Sequence, residues 1–400
     1  MDDTTQSARF RIAVIGKGMI GAAAARHLTL RTDGVALLGP DEPPVRAEHH
    51  DVFASHYDEG RICRILDRDP IWARMAARSI GRYAEIEAAS GIRFHEPVGM
   101  LAATVTASGR FVEAYARTGA ELGVAFERLT GPGLAERFPY LRFKPESEGV
   151  LETGQAGHIS PRRLVRAQVT AAERQGATVI REAVHALRPC DGGVELTTAS
   201  GRIVRAERAL VATGGFANVH DVLPQRLALT VRGRTIVKAE VPENQLERLR
   251  EMPSLIVSGT APLSDPYILP PIQYPDSRWY VKLGTGELGR ELETLDELGS
   301  WFRSAGAEKD RTLLRQTVVS LIPDLAEAPI LTDTCAVTAT ATGYPYVELI
   351  EDGRICLAVG GNGKAAKSSD EIGRLATELA LAGAWSDDLP EEPFRAQFRR

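Results

Sequence analysis

Short apolar runs and amphipathic stretches alternate along the first half of the chain. Residues 11–15 (RIAVI) form a β-branched run that ends at a glycine, the pattern of a strand buried on both faces. An Ala-rich helical stretch covers 22–30, and a second apolar run covers 35–38. Residues 70–90 carry a helical pattern closed by Gly91. A further helix is predicted over 162–175, with Ser160 and Pro161 as N-cap and first helical position, and a short strand over 177–180 behind it. Residues 194–199 and 202–204 read as a hairpin around Ser200-Gly201, and 206–212 as a strand running into Thr213-Gly214-Gly215.

The texture changes between 227 and 301. Short β-rich pieces at 230–237, 254–257, 267–269 and 279–283 are separated by several Pro-rich turns, which suggests an inserted antiparallel sheet. The alternation then returns: a strand over 354–359, a Gly360-Gly361-Asn362-Gly363 loop, and a helix over 371–383. The predicted class is α/β, with a Rossmann-like domain and an interleaved antiparallel-sheet domain that adds an α+β part.

Composition narrows the class without changing it. The chain has 400 residues, 44% hydrophobic and 25% charged, enough for two or three domains or one large two-lobed unit. A net charge of −5 with no long basic run argues against nucleic acid as a partner. Cys63, Cys190, Cys335 and Cys356 form no CxxC pair and suit neither zinc nor a disulfide framework, so no metal is expected. Reduced thiols, a polar start and no apolar run of about 20 residues give a cytoplasmic location, with no membrane partner, as the default expectation. Only seven lysines stand against 41 arginines, so each lysine carries more information than usual.

The first strand leads into Gly16-Lys17-Gly18-Met19-Ile20-Gly21, a GxGxxG at a strand-to-helix turn. Gly16 permits the tight turn, Gly18 lets backbone approach a pyrophosphate, and Gly21 lets helix and strand pack closely. The helix N-terminus offers free N–H groups to the anion. An acid is expected near the end of the second strand for the ribose. Here that strand runs into Gly39-Pro40, and either Asp41 or Glu42 is the candidate.

Four stretches, in order, give the chain a family likeness: the Gly16–Gly21 motif; Ser55-His56-Tyr57-Asp58-Glu59-Gly60-Arg61-Ile62-Cys63-Arg64 with its R-x-x-R; Trp279-Tyr280-Val281-Lys282-Leu283-Gly284; and Cys335, followed by the Gly-rich loop and Lys367-Ser368-Ser369. Across nearly its whole length the chain resembles the flavin-dependent amine oxidases of the monomeric sarcosine oxidase and N-methyltryptophan oxidase type, with a D-amino-acid-oxidase-like fold. The resemblance implies an FAD-binding domain at 9–90, 155–222 and 331–385, and a substrate domain at 91–154 and 223–330. It implies FAD on Gly16, Gly18, Met19, Ile20 and Gly21, with Asp41, Ser55, His56, Arg61, Gly361, Gly363 and Lys367 around it. Cys335 sits where the family attaches flavin covalently. Lys282 sits where a lysine promotes reaction of reduced flavin with oxygen. Arg64 and Lys367 resemble the pair that holds the substrate carboxylate, and Arg61 sits where an arginine lies close to the flavin ring. A monomer or small homo-oligomer is expected.

The residue types suit those roles. A fixed cation stabilises a reduced flavin and an oxygen anion. The planar fork of Arg64 can bond both carboxylate oxygens. Lys367 precedes a helix, where a cation is unfavourable unless an anion joins it. Cys335 would need a lowered thiol pKa to react, and no histidine neighbours it in sequence.

The chain also departs from the sarcosine-type pattern. Gly286 stands where the family has an active-site histidine, and Val337 where it has a tyrosine. The C-terminal lysine is displaced by two places, so Lys364 rivals Lys367. These changes argue against sarcosine and favour a larger or differently shaped secondary amine, such as an N-substituted amino acid, oxidised to an imine with hydrogen peroxide formed from oxygen. An FAD dehydrogenase with another acceptor and a tailoring or non-catalytic flavoprotein are the alternatives. A NAD-only enzyme would leave the Cys335 and C-terminal loop pattern unexplained.

Overall fold

The computed structural model describes residues 9–106 and 109–399. Strand Arg9–Ile15 lies at the centre of the first sheet, with Val35–Leu38 parallel on one side and Ile203–Val211 parallel on the other. Thr178–Ile180 and Ile355–Leu357 extend the parallel set outward. The predicted hairpin arm and the strand after it are one element, Ile203–Val211. Its first half pairs antiparallel with Gly193–Thr198 and its second half joins the parallel set, so one continuous strand serves both.

Helix Met19–Thr29 packs on this sheet between helices Pro161–Arg174 and Ser369–Ala382. Its Ala22 to Ala25 are fully buried. Small side chains let the helices approach so closely that a Cβ on Gly373 would stand 2.6 Å from the Ala24 nitrogen. Ser160 caps the helix at Pro161 as its sequence predicts, its hydroxyl accepting from the Arg163 amide at 3.2 Å. The long helix expected over 70–90 is broken into Pro70–Gly81 and Tyr83–Ser90. Arg82 leaves the helix between them, and its guanidinium reaches Asp370 (2.6 Å) and Glu371 in the C-terminal helix. The ion pairs and the low helix propensity of Gly81 outweigh the helical pattern.

The second sheet has nine strands and begins earlier than expected. It takes in Met100–Thr104, Phe126–Thr130 and Glu148–Glu152, none of which the hydrophobic pattern disclosed. It is not wholly antiparallel, because Ser254–Ser258 runs parallel to Met100–Thr104. The long ladder between Leu229–Glu240 and Ile330–Thr340 lies in this sheet, so Cys335 stands on the second sheet rather than the first. A small third sheet joins Arg61–Cys63, His95–Glu96 and Gly157–Ile159. Loop 44–60 runs between the two large sheets. Asp51 in it lies 2.9 Å from Nε2 of both His185 and His220, fastening the loop to the first sheet.

The glycine turn is shaped by contact. Gly16 has φ +107°, and a Cβ there would lie 2.4 Å from the Ala212 carbonyl oxygen. A Cβ on Gly21 would lie 1.8 Å from the Gly16 oxygen, whereas nothing stands within 4 Å of one on Gly18. Gly21→Ala is therefore expected to lower unfolding free energy by about 2 kcal/mol or more. Gly18→Ala should change it by less than about 1 kcal/mol. Urea titration of both variants checks this.

Candidate active site

One cleft of about 1550 Å3 runs from the glycine turn, between the two large sheets, to Cys335 and the C-terminal loop. Gly16, Gly18, Met19 and Ile20 line its near end. The helix that starts there has no side-chain cap and no acid in its first turn, so its N–H groups and positive dipole end face the cleft. Gly21 is packed behind the turn rather than on the cleft wall.

Asp41 and Glu42 both line the cleft, and both already have partners. Asp41 pairs with Lys17 and with Arg181 at 3.2 Å. Glu42 accepts from Arg162 Nε at 2.9 Å. Arg162 also reaches Glu59 at 2.7 Å, so it fastens this end of the cleft to the loop ahead.

That loop, 55–60, is sewn onto the Cys335 strand. The Ser55 oxygen accepts from the Ala336 amide at 2.8 Å, and His56 bridges to Cys335. His56 Nδ1 accepts from the Asp58 amide at 3.2 Å. Burial, with Arg61, Lys282 and Arg162 nearby, holds its pKa well below the usual imidazole value, so it stays neutral. Asp58 gathers the loop's charges: Arg61 and Lys282 both pair with one oxygen, and Tyr274 donates to the other at 2.6 Å. Lys282 is fully buried and also donates to the Gly60 oxygen at 2.8 Å. Burial and Arg61 press its pKa down. Arg61, Tyr267 and Tyr274 line the cleft, whereas Lys282 lies behind them, its Nζ 5.4 Å from the Tyr267 ring centre.

A second charged cluster surrounds Asp67. Arg64 donates to it at 2.7 Å, Lys364 lies at 3.2 Å, and Lys367 at 3.3 Å. Burial opposes the charged carboxylate, yet Arg64, Lys367 and Lys364 together hold its pKa well below the usual range. The stability this contributes is complete above about pH 4 and is lost on acidification. Burial lowers Lys367 to about 8, with Asp67 opposing the fall and Arg64 adding to it. All three cations line the cleft, and the structure brings both rival lysines, 364 and 367, to the same carboxylate. Arg64 Nε and Lys367 Nζ are buried with no hydrogen-bond partner among the described residues. Lys367 lies in a helical turn, Ala365–Lys367, just before the C-terminal helix.

Cys335, Gly286, Val337, Gly361 and Gly363 complete the far wall. Cys335 is buried and free. Cys63 and Cys356 are packed in the core, where burial pushes both thiols up, Cys356 to about 12. The sequence reading missed Asp67, Arg234 and Tyr267 and assigned Asp58 no role. Asp67 continues an R-x-x-R-x-x-D run from Arg61 and could have been found there.

An anion-ready glycine turn, an open Gly18 and orphaned cationic donors along one continuous cleft fit an extended anionic dinucleotide. The arrangement is that of a flavoprotein oxidoreductase with a two-lobed, Rossmann-like fold. The sequence model of the FAD dependent oxidoreductase (DAO) family matches residues 11–379, and the chain belongs to that family. It is 23% identical over 308 residues to N-methyl-L-tryptophan oxidase of Escherichia coli O127:H6 (strain E2348/69 / EPEC), covering 72% of this chain and 73% of the relative. Among solved structures, NikD, an unusual amino acid oxidase essential for nikkomycin biosynthesis, superposes with TM-score 0.77 at 20% identity over 98% of both chains. L-proline dehydrogenase from P. horikoshii superposes with TM-score 0.75 at 18% identity, covering 97% and 98%. The protein is an FAD-dependent enzyme. No helix among the described residues is long and apolar enough to cross a membrane.

Removing the Asp67 charge would leave Arg64 and Lys367 buried together without their carboxylate. Asp67→Asn is expected to lower unfolding free energy by about 3 kcal/mol. Chemical denaturation at neutral pH checks this, and the loss should begin to shrink below about pH 4, where the unfolded chain's Asp67 takes up a proton before the folded one does.

Proposed function

We propose that the enzyme oxidises a secondary amine, an N-substituted amino acid, to an imine, with oxygen as acceptor and hydrogen peroxide as product. The observation that carries this is a pair of buried cationic donors on the cleft-lining residues Arg64 and Lys367: Arg64 Nε has no hydrogen-bond partner among the described residues, and Lys367 Nζ has only the Asp67 ion pair at 3.3 Å. Three cations around one carboxylate leave an excess of positive charge where an amino-acid carboxylate can bind. FAD, when bound, supplies a hydride acceptor. The chain's own work is to hold the carboxylate, orient the amine and exclude water. His56, held neutral, adds no further cation against the amine. The names of the N-methyltryptophan and NikD oxidases support an amine or amino-acid substrate. Gly286 and Val337 in place of larger groups support a substrate bulkier than sarcosine.

Cys335 is the proposed attachment point for flavin, and Lys282 the proposed promoter of the oxygen reaction. One observation favours a second reading, a dehydrogenase with another acceptor. Lys282 is already bonded to Asp58 and the Gly60 oxygen, behind the cleft wall.

Three measurements test the proposal. The purified protein should be yellow, and the colour should stay in the pellet after acid precipitation; Cys335→Ala should release it. Anaerobic addition of an N-methyl amino acid should bleach the flavin, and no bleaching by any amine sinks the amine-oxidation reading. Lys282→Met should slow reoxidation by oxygen far more than anaerobic reduction, and equal effects would favour the dehydrogenase.

The Lys367 ammonium gives a pH dependence with a definite sign. It is cationic below about pH 8 and neutral above. Binding of a non-oxidisable carboxylate such as benzoate, read from the flavin spectrum, should weaken roughly tenfold as pH rises through 8. Lys367→Met should flatten that profile.

A further inference from the structure

Arg234 stands directly across from Cys335 in the ladder between Leu229–Glu240 and Ile330–Thr340. On its other side the same strand pairs with Trp279–Thr285, with Lys238 opposite Lys282 and Val237 opposite Leu283. Beyond Val237 the register changes: Gly233 pairs with Arg290 and Arg232 with Glu291. Gly289 therefore abuts Arg234, a Cβ there standing 2.9 Å from the Arg234 Cδ. Arg234 and Cys335 both line the cleft.

The Arg234 guanidinium is in an unusual state for this protein. Its Nη1 is sealed from solvent and has no hydrogen-bond partner among the described residues. No carboxylate among them forms an ion pair with it. Its strand neighbours are served: Arg232 reaches Glu291 at 2.8 Å, and Lys238 reaches Asp333 at 3.4 Å. Burial and the like charge of Arg232 act against the Arg234 cation and lower its pKa, with Cys335, Tyr267 and Asp310 opposing them in part. Arginine keeps its charge even so. A half-buried guanidinium on the cleft wall that lacks an anion is costly, and a ligand anion removes that cost. Among the described residues, the cleft-wall acid with an unpartnered buried oxygen is Asp265, whose other oxygen lies 3.8 Å from Arg68.

We infer that Arg234 receives a second anionic group of the substrate, so that the preferred amines are N-substituted amino dicarboxylates. One carboxylate then meets Arg64 and Lys367, and the distal one meets Arg234. This rests on the amine-oxidation reading above and adds the substrate class to it.

The test uses the flavin-loaded enzyme and four probes: N-methyl-L-aspartate, N-methyl-L-glutamate and their neutral amides, N-methyl-L-asparagine and N-methyl-L-glutamine. Anaerobic flavin reduction gives a rate and an apparent Kd for each. At least one acid should exceed its amide by about tenfold or more in rate over Kd. Arg234→Gln should bring that ratio to within about twofold by weakening the acid alone, and Arg234→Lys should restore part of it. Three results overturn the inference: acid and amide used equally by the wild type, an equal loss on both in Arg234→Gln, or an altered flavin content with the preference intact. The last would assign Arg234 to the cofactor. If no N-methyl amino acid of any kind reduces the flavin, the amine-oxidation reading fails with it. Reduction without an acid preference sinks only the dicarboxylate assignment.

Discussion

The carboxylate of Asp58 decides where the cleft can be. It is buried and shared by Arg61 from its own loop, Lys282 from the second sheet and Tyr274 from the turn beside that sheet. None of these groups has a good alternative in a dry interior. Lys282 without Asp58 would be a sealed ammonium with one carbonyl for company, and Asp58 without the cations would be a sealed carboxylate. Breaking a buried pair from either side costs several kcal/mol. The loop therefore cannot drift from the sheet, and the wall it forms, from Ser55 to Arg64, stays set against Cys335. The ladder bonds from Ser55 to Ala336 hold the same seam from the backbone side.

The two charged clusters obey one rule with different outcomes. Around Asp58 the charges are enclosed and bonded to one another, so they shape the wall more than they offer contacts. Around Asp67 the cations exceed the acid, and Arg64 Nε is left without a hydrogen-bond partner among the described residues. An excess of this kind is a stability liability in the empty protein and a binding resource for an anion. The lowering of the Lys367 pKa by burial and by Arg64, against the pull of Asp67, is consistent with that liability. The excess at Asp67, rather than the enclosed pair at Asp58, is where the proposed carboxylate site belongs.

Much of this was legible in the sequence, for reasons that differ by element. The glycine turn was readable because each glycine answers to a local steric demand, and the contacts at Gly16 and Gly21 are those demands in coordinates. The parallel strands were readable because burial on both faces leaves an unbroken apolar run. The strands between 100 and 152 were not; Phe126–Thr130, for one, is largely solvated and carries charges on both faces. The helix break at Arg82 depended on acids almost 290 residues away. The second sheet was read as antiparallel because a parallel pair between residues 100 and 258 leaves no local trace. Among site residues, Arg61, Arg64, Lys282, Lys364 and Lys367 could be named one by one, whereas Arg234 could not be told from the other arginines. Which carboxylate each would meet could not, because Asp58 collects its partners from three segments.

The departures at Gly286 and Val337 look like losses when each position is read alone. The ladders give them another sense. In an antiparallel pair, directly opposed side chains lie on the same face with Cβ atoms about 5 Å apart. A polar group can therefore leave one strand and be replaced from the next without moving far in space. Gly286 withdraws a side chain, and Arg234, from the strand that pairs with the one before Gly286, keeps a cation on the wall of the same cleft. Val337 is opposite Arg232, whose charge is taken by Glu291, and nothing replaces the polar group there. The cleft has thus exchanged two polar positions for one apolar patch and one unanswered guanidinium. That exchange preserves a site for oxidation while changing which substrate can fill it.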